Sequence, residues 1–282
     1  SANLVQMFEA RWSATQLETH ITAVSNLRSI VFDAFERIAQ HMRSNQRLTE
    51  YEIQQFISQR FADMGMTSNS PCIVAVNEHS GRPHYQPTAT NHSEIKAGDF
   101  VLLDIWAKLA QPCDAVYADI TWTGFVGDTV PEKHAEIFGI VAGGRDAAVS
   151  FVKHAVESKQ TIHGWQVDDV TRNYISERGY GQYFVHRTGH SIGLEVHANG
   201  ANIDNLETRD ERRLIPYTCF SIEPGIYLPE FGIRSEIDVY IGPDEVVIGG
   251  QPIQTEVIRI PVSYTHLRAH ETKANLVCRL LL

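Results

Sequence analysis

No apolar stretch in this 282-residue chain approaches the ~18 residues that cross a membrane, so no membrane span is expected. No run of Lys and Arg appears, and the formal net charge is −10, which removes the usual basis for binding nucleic acid. Cysteine is sparse and scattered. Cys72, Cys113, Cys219 and Cys278 form no CxxC pair, so neither a disulfide framework nor a thiolate zinc site is suggested, and a reducing compartment is expected. The opening residues SANLVQMFEARW lack the basic-then-apolar layout of a signal peptide, which makes the cytoplasm the expected location. What is present is globular material: 43% hydrophobic residues can build a full core in one large domain or two small ones.

Val24, Leu27, Val31, Ala34 and Ile38 recur at three- and four-residue steps and predict a first long helix. Thr49 and Glu52 have capping-box spacing and start a second, with Ile53, Ile57, Phe61 and Met64 as its buried stripe and Gly65 as its stop. Short apolar runs from Cys72 to about Gly127 predict strands. A long helix follows from Pro131 to about Glu157, another from about Val167 to Arg178, and then strand-like segments FVHRTGH, CFSIEPGIY and IRSEIDVYI. The order helices, strands, helices, strands hints at a duplicated α+β unit with a mostly antiparallel sheet covered by helices. From Val262 onward VSYTHLRAHETKANLVCRLLL resembles a translated sequencing-adaptor remnant, so residues 262–282 are expected to be a non-native tail. Its His266 and His270 supply too few ligands for a metal site.

Four acids interrupt apolar runs: Asp104 after VLL, Asp119 in AVYADITWTGFVG, Glu223 after FSI, and Glu236 in GIRSEIDVYI. One such acid is ordinarily a salt bridge or the wet side of a strand. Four of them, with His190 between glycines in RTGHSIG, point instead to cations, because clustered carboxylates repel one another unless positive charge is supplied.

These segments resemble the pita-bread metallopeptidases, the family of methionine aminopeptidase, Xaa-Pro aminopeptidase, prolidase and creatinase. LLDIWA, YADITWTGFVG, HRTGHSIGLEVH, SIEPGIY and GIRSEIDV carry the likeness, over roughly residues 20 to 260. It implies an α+β fold of two pseudo-symmetric halves, with a mostly antiparallel curved sheet covered by helices. It implies two divalent metal ions, Mn2+ first and Co2+ or Zn2+ as substitutes, held by Asp104, Asp119, His190, Glu223 and Glu236. His84 in RPHYQP, His186, His197 and Arg234 match the proline-directed branch. A hydroxide shared by the metals would attack the scissile carbonyl, with Glu223 as general base and His197, His186 and His84 as further catalytic groups. His84 and Arg234 would hold the proline side or a substrate carboxylate.

The implied partners are a small peptide substrate and a second copy of the chain in a homodimer, with no nucleic acid and no membrane. The expected layout is a helical lead over residues 1–20, remnant of a linker to a further N-terminal domain, then a catalytic domain over 21–261. The chain departs from the family pattern in a longer gap between Asp104 and Asp119, which makes Asp114 a rival ligand, and in Trp106, Trp122 and Ala198. The function implied is a metal-dependent Xaa-Pro peptidase, aminopeptidase or dipeptidase. The alternatives are a creatinase-like enzyme acting on a small non-peptide compound and a catalytically silent binding module.

Overall fold

The computed structural model describes residues 2–262, so the tail expected to be non-native lies, beyond Val262, outside the described residues. After α1 (Ala2–Glu9), the 30-residue α2 (Ala14–Arg43) begins at Ser13 and α3 (Glu50–Asp63) at Thr49. Both starts are capping boxes, in which the cap side chain accepts from the backbone N–H three residues on and the Gln16 or Glu52 side chain answers. Past α3, Gly65 takes φ 65°, a left-handed conformation that suits glycine. The stripe read from the sequence is the buried face of α2, and Leu27, Val31, Ala34 and Ile38 are fully enclosed. Burying each large apolar side chain contributes ~1.5–3 kcal/mol. α2 runs without a break through residues 20 and 21, and Trp12 packs with Val116, Tyr117 and Tyr240.

β1 (Met66–Thr67), β2 (Ile73–Val76), β3 (Phe100–Leu109), β4 (Ala118–Val126) and β11 (Ile258–Ile260) form one five-stranded sheet, antiparallel except where β11 runs parallel to β4. α4 (Glu132–Glu157) and α5 (Gly164–Ser176) then lead into a second sheet. This one is four-stranded and antiparallel, made of β5 (Ser191–Ile192), β6 (Thr218–Ile222), β9 (Ile237–Ile241) and β10 (Val246–Ile248). The short pair β7 (Gly225–Tyr227) and β8 (Gly232–Arg234) joins them.

The period of two explains where the acids go. On β3 and β4, Leu103, Ile105, Ala107, Ile120 and Trp122 pack with the side chains of α2 and α3. Asp104 pairs with Thr121 and Trp106 with Asp119, so these four share the other face. On the second sheet Phe220, Ile222, Ile237, Val239 and Ile241 pack with residues of α4 and α5, and Ser221 pairs with Asp238 on the opposite face. Each sheet therefore turns one face to its helices and the other toward the seam. There the Glu236 N–H donates to the Thr121 carbonyl at 3.4 Å and the Asp119 N–H to Asp238 Oδ2 at 3.0 Å.

Two sequence expectations need correction. Pro131 is the residue before α4, with extended ψ of 142°, and the helix starts at Glu132. FVHRTGH is not a strand: only Ser191 and Ile192 pair in a ladder, because the backbone of 184–190 is engaged elsewhere. Arg172 donates to the carbonyls of Phe184 and His186, and Asp168 takes the Thr188 N–H.

Candidate metal centre

All nine residues singled out from the sequence line one cavity of about 430 Å³. The β3–β4 hairpin supplies Asp104 and Asp119, 8% and 5% exposed. Thr121, the cross-strand partner of Asp104, donates to Glu236 Oε2 at 2.8 Å and accepts from Arg234 Nε at 3.1 Å. Glu223 follows β6, and its Oε1 accepts from Ser221 Oγ at 3.2 Å. The same Ser221 hydroxyl accepts the His190 N–H at 3.0 Å. Gly189 permits that approach, since a Cβ there would stand 1.9 Å from the Ser221 carbonyl oxygen.

His190 is oriented by its backbone partner. Its Nδ1 lies 3.3 Å from the Ser191 carbonyl, which can only accept, so Nδ1 carries the proton and Nε2 presents a lone pair. That lone pair faces Glu223 Oε1 at 3.4 Å and Asp119 Oδ2 at 3.6 Å. Burial, then the charges of His197 and Arg187, hold His190 well below its ordinary value, so no imidazolium forms to resolve the contact. Three acceptors thus converge. Asp119, His190 and Glu236 each offer a ligand atom within 4.8 Å of the others. Asp119 Oδ1 and Glu236 Oε1 are buried without a hydrogen-bond partner among the described residues.

The protonation balance says the same. Burial, then Glu236 and Asp104, pushes Asp119 well above the usual carboxylate range. Burial, then Glu223 and Asp104, does so for Glu236. Glu223 is raised to about 7 by burial, with Arg234 opposing and Asp104 assisting. A set of this kind stays protonated or takes up cations. Four carboxylates and one imidazole fit hard divalent ions that prefer oxygen.

The accessory residues divide. Arg234, 3% exposed, spends its guanidinium on Asp104 Oδ2, the Tyr227 hydroxyl at 2.8 Å and Thr121. His186 donates from Nδ1 to the Arg187 carbonyl at 2.7 Å and accepts at Nε2 from the Tyr227 hydroxyl at 2.6 Å, so both ring nitrogens are engaged inside the protein. Burial, then the Arg234 charge, keeps His186 neutral, at about 3. His197 packs edge-on against His190 with ring centroids 4.2 Å apart, and His84, exposed, lines the same cavity. Asp114 is exposed on the β3–β4 turn and does not line the cavity.

Sequence reasoning missed Tyr227, Thr121 and Asp238. For Asp238 a signal existed, since it lies two residues from Glu236 and period two puts it on the same side. It is fully buried, and its Oδ2 takes the Asp119 N–H and lies 3.6 Å from His20 Nε2. Tyr227 sits beyond a turn, where spacing gives no direction.

The model of metallopeptidase family M24 matches residues 22–243 of the chain. The chain belongs to that family. Its α+β architecture is the pita-bread fold expected from the motifs. The M24 chain is similar to the putative dipeptidase YkvY of Bacillus subtilis, 36% identical over 177 residues, 62% of this chain and 44% of that one. Among solved structures it is similar to an Xaa-Pro dipeptidase from Bacillus anthracis, with a TM-score of 0.74 and 29% identity over 91% of this chain and 66% of that one. It is also similar to an X-Pro aminopeptidase from Thermotoga maritima, with a TM-score of 0.74 and 27% identity over 91% and 66%. The chain spans about half the length of the curated relatives it matches, as in a Staphylococcus aureus peptidase of which 51% is covered. Among the described residues no helix is long and apolar enough to cross a membrane.

Proposed function

We propose that this M24 chain hydrolyses Xaa-Pro bonds of small peptides with two divalent cations held by Asp104, Asp119, His190, Glu223 and Glu236, manganese first among them. The observation that carries the reading is the His190 Nε2 lone pair facing two carboxylate oxygens at 3.4 and 3.6 Å, a convergence of acceptors that a cation stabilises. When bound, the ions supply Lewis acidity toward the scissile carbonyl and an activated water.

The chain's own groups do the rest. Glu223, whose Oε1 accepts from Ser221 Oγ at 3.2 Å, takes the proton of the attacking water. His197, beside His190 at the cavity mouth, donates toward the carbonyl oxygen as charge develops there. The leaving nitrogen of an Xaa-Pro bond carries no N–H, so the pocket must accept a ring, and His84 on the open wall meets that side. His186, with both nitrogens engaged, positions Tyr227, and Arg234 holds Asp104 in place.

The decisive measurement is metal content by mass spectrometry together with proline release from Xaa-Pro dipeptides and Xaa-Pro-Yaa tripeptides. Activity is expected to vanish on chelation and return with manganese. Protein that cuts these peptides equally well without metal would sink the reading.

A further inference from the structure

Two cations line the cavity, Arg187 and Arg234, and they differ in what they already hold. Arg234 is enclosed and its donors go to Asp104, Tyr227 and Thr121. Arg187 is half-buried, and its guanidinium makes no ion pair or hydrogen bond among the described residues, although its charge reaches Glu223, His190 and His197. Glu207 lines the same cavity yet lies outside ion-pair range of it.

The base of this side chain is fixed on both sides. Its carbonyl accepts from His186 Nδ1 at 2.7 Å, the next residue is bound through Thr188 N and Oγ1 to Asp168, and the preceding carbonyl accepts from Arg172. A guanidinium on a rigid base, aimed into a cavity and unpaired there, is preorganised for a planar anion. The cavity is also at the small end for a ligand site. Its volume of about 430 Å³ suits a ligand of dipeptide size, and the Trp106 indole, donating to Asn69 Oδ1 at 3.1 Å, fixes one wall.

We infer that Arg187 binds the C-terminal carboxylate of the substrate and so restricts the enzyme to dipeptides with a free carboxyl end. This rests on the peptidase reading but not on its preference for proline. Anchoring a charge that is unchanged between bound substrate and transition state lowers KM and leaves kcat alone.

The test uses the manganese-loaded chain with alanyl-proline and alanyl-leucine, each as free acid and as C-terminal amide. The wild type is expected to favour the acids at least about 10-fold in kcat/KM. Arg187→Gln is expected to raise KM for the acids about 10- to 100-fold, the range of a hydrogen-bonded charge, with kcat and the amide reactions held within about threefold. Arg187→Lys should fall between. Equal use of acid and amide by the wild type, or an equal loss on both in Arg187→Gln, overturns the assignment. Turnover of the leucine pair alone removes the proline reading and leaves the acid-to-amide ratio to decide on Arg187. If neither dipeptide is cut, calorimetry with proline and prolinamide decides. Tighter proline binding that Arg187→Gln abolishes supports the anchor, and equal or no binding overturns it.

Discussion

Asp104 and Asp119 ride on one continuous hairpin, whereas His190, Glu223 and Glu236 come from an irregular segment and from the residues flanking short strands. In the first half the ten-residue β3 and its partner β4 fix both acids through a ladder, and period two alone puts them on one face. In the second half His186 and His190 lie outside the strands, and only one backbone bond from β6, Ser221 N–H to the His190 carbonyl at 2.8 Å, reaches the second of them. The place of a ladder is taken by Asp168, fully buried, which accepts from Arg172 Nε and Nη2, Thr188 N and Oγ1, and Asn205 N. The first half has a counterpart for its own loop: buried Glu50 on α3 accepts from Val76 N, His79 Nδ1, Tyr85 OH and Ser93 N, tying down the segment that carries His84. Backbone pairing delivers the candidate ligands where the chain is regular. Where it is not, a buried carboxylate on a helix secures the segment beside them, as Asp168 does for Thr188 and Glu50 for Ser93.

The largest effect should come from the atoms where the halves meet. Asp119→Asn removes a charge from the cluster with His190 and Glu236, and kcat/KM on a dipeptide substrate is expected to fall about 1,000-fold or more. Metal content should drop below that of the wild type. A variant that keeps both activity and full metal content would mean that the acids of the two halves do not share a site.

Next comes the support of the second half. Asp168→Ala leaves the partly buried Arg172 without its carboxylate and frees the Thr188 and Asn205 donors in the core. Urea unfolding should show a loss of roughly 3–5 kcal/mol. The comparison predicts more: in Asp168→Asn, folded but loosened, metal affinity should fall through His190 while the β3–β4 hairpin keeps its hydrogen-exchange protection. Equal loss of protection in both halves would erase the distinction.

The pH dependence of the cation-free protein tests the seam as a whole. Asp119, Glu223 and Glu236 hold their protons more tightly folded than unfolded. Their contribution to stability is therefore complete below the unfolded values, near 4, and is lost as pH rises through the folded ones. Glu223 alone, moved from 4.5 to about 7, accounts for roughly 2.5 kcal/mol lost between pH 5 and pH 8. Manganese should flatten that slope, read as urea midpoints at the two pH values. A flat profile without metal would show that the carboxylates do not crowd one another.

What could be read beforehand follows the same division. The α2 stripe, the Thr49–Glu52 cap and the alternation along β3 and β4 are local patterns, so helices, strands and the placing of both aspartates were legible. FVHRTGH looked like a strand because Phe184, Val185 and Thr188 are residue types that favour strands. The carbonyls of Phe184 and His186 and the Thr188 N–H in fact bond to Arg172 and Asp168 on α5, contacts that no spacing rule encodes. The same limit hid Tyr227, whose hydroxyl is defined only by Arg234 and His186 converging on it.

Asp114 gives the smallest expected effect and the sharpest check on the first half. The gap between Asp104 and Asp119 exceeds the usual family spacing, which left Asp114 a rival ligand on sequence grounds. In the structure the extra residues form the turn between β3 and β4, where Asp114 is exposed and its carbonyl accepts from Gln16 Nε2 at 3.1 Å. Register fixes the outcome: the ladder runs unbroken from Phe100–Phe125 to Ala107–Ala118, so length added at the tip cannot shift either aspartate. Asp114→Ala should change stability by less than about 0.5 kcal/mol and leave the bound-metal count unchanged. Loss of an ion in that variant would mean that the tip folds back into the cavity. The first half would then reach the site through a loop, as the second does.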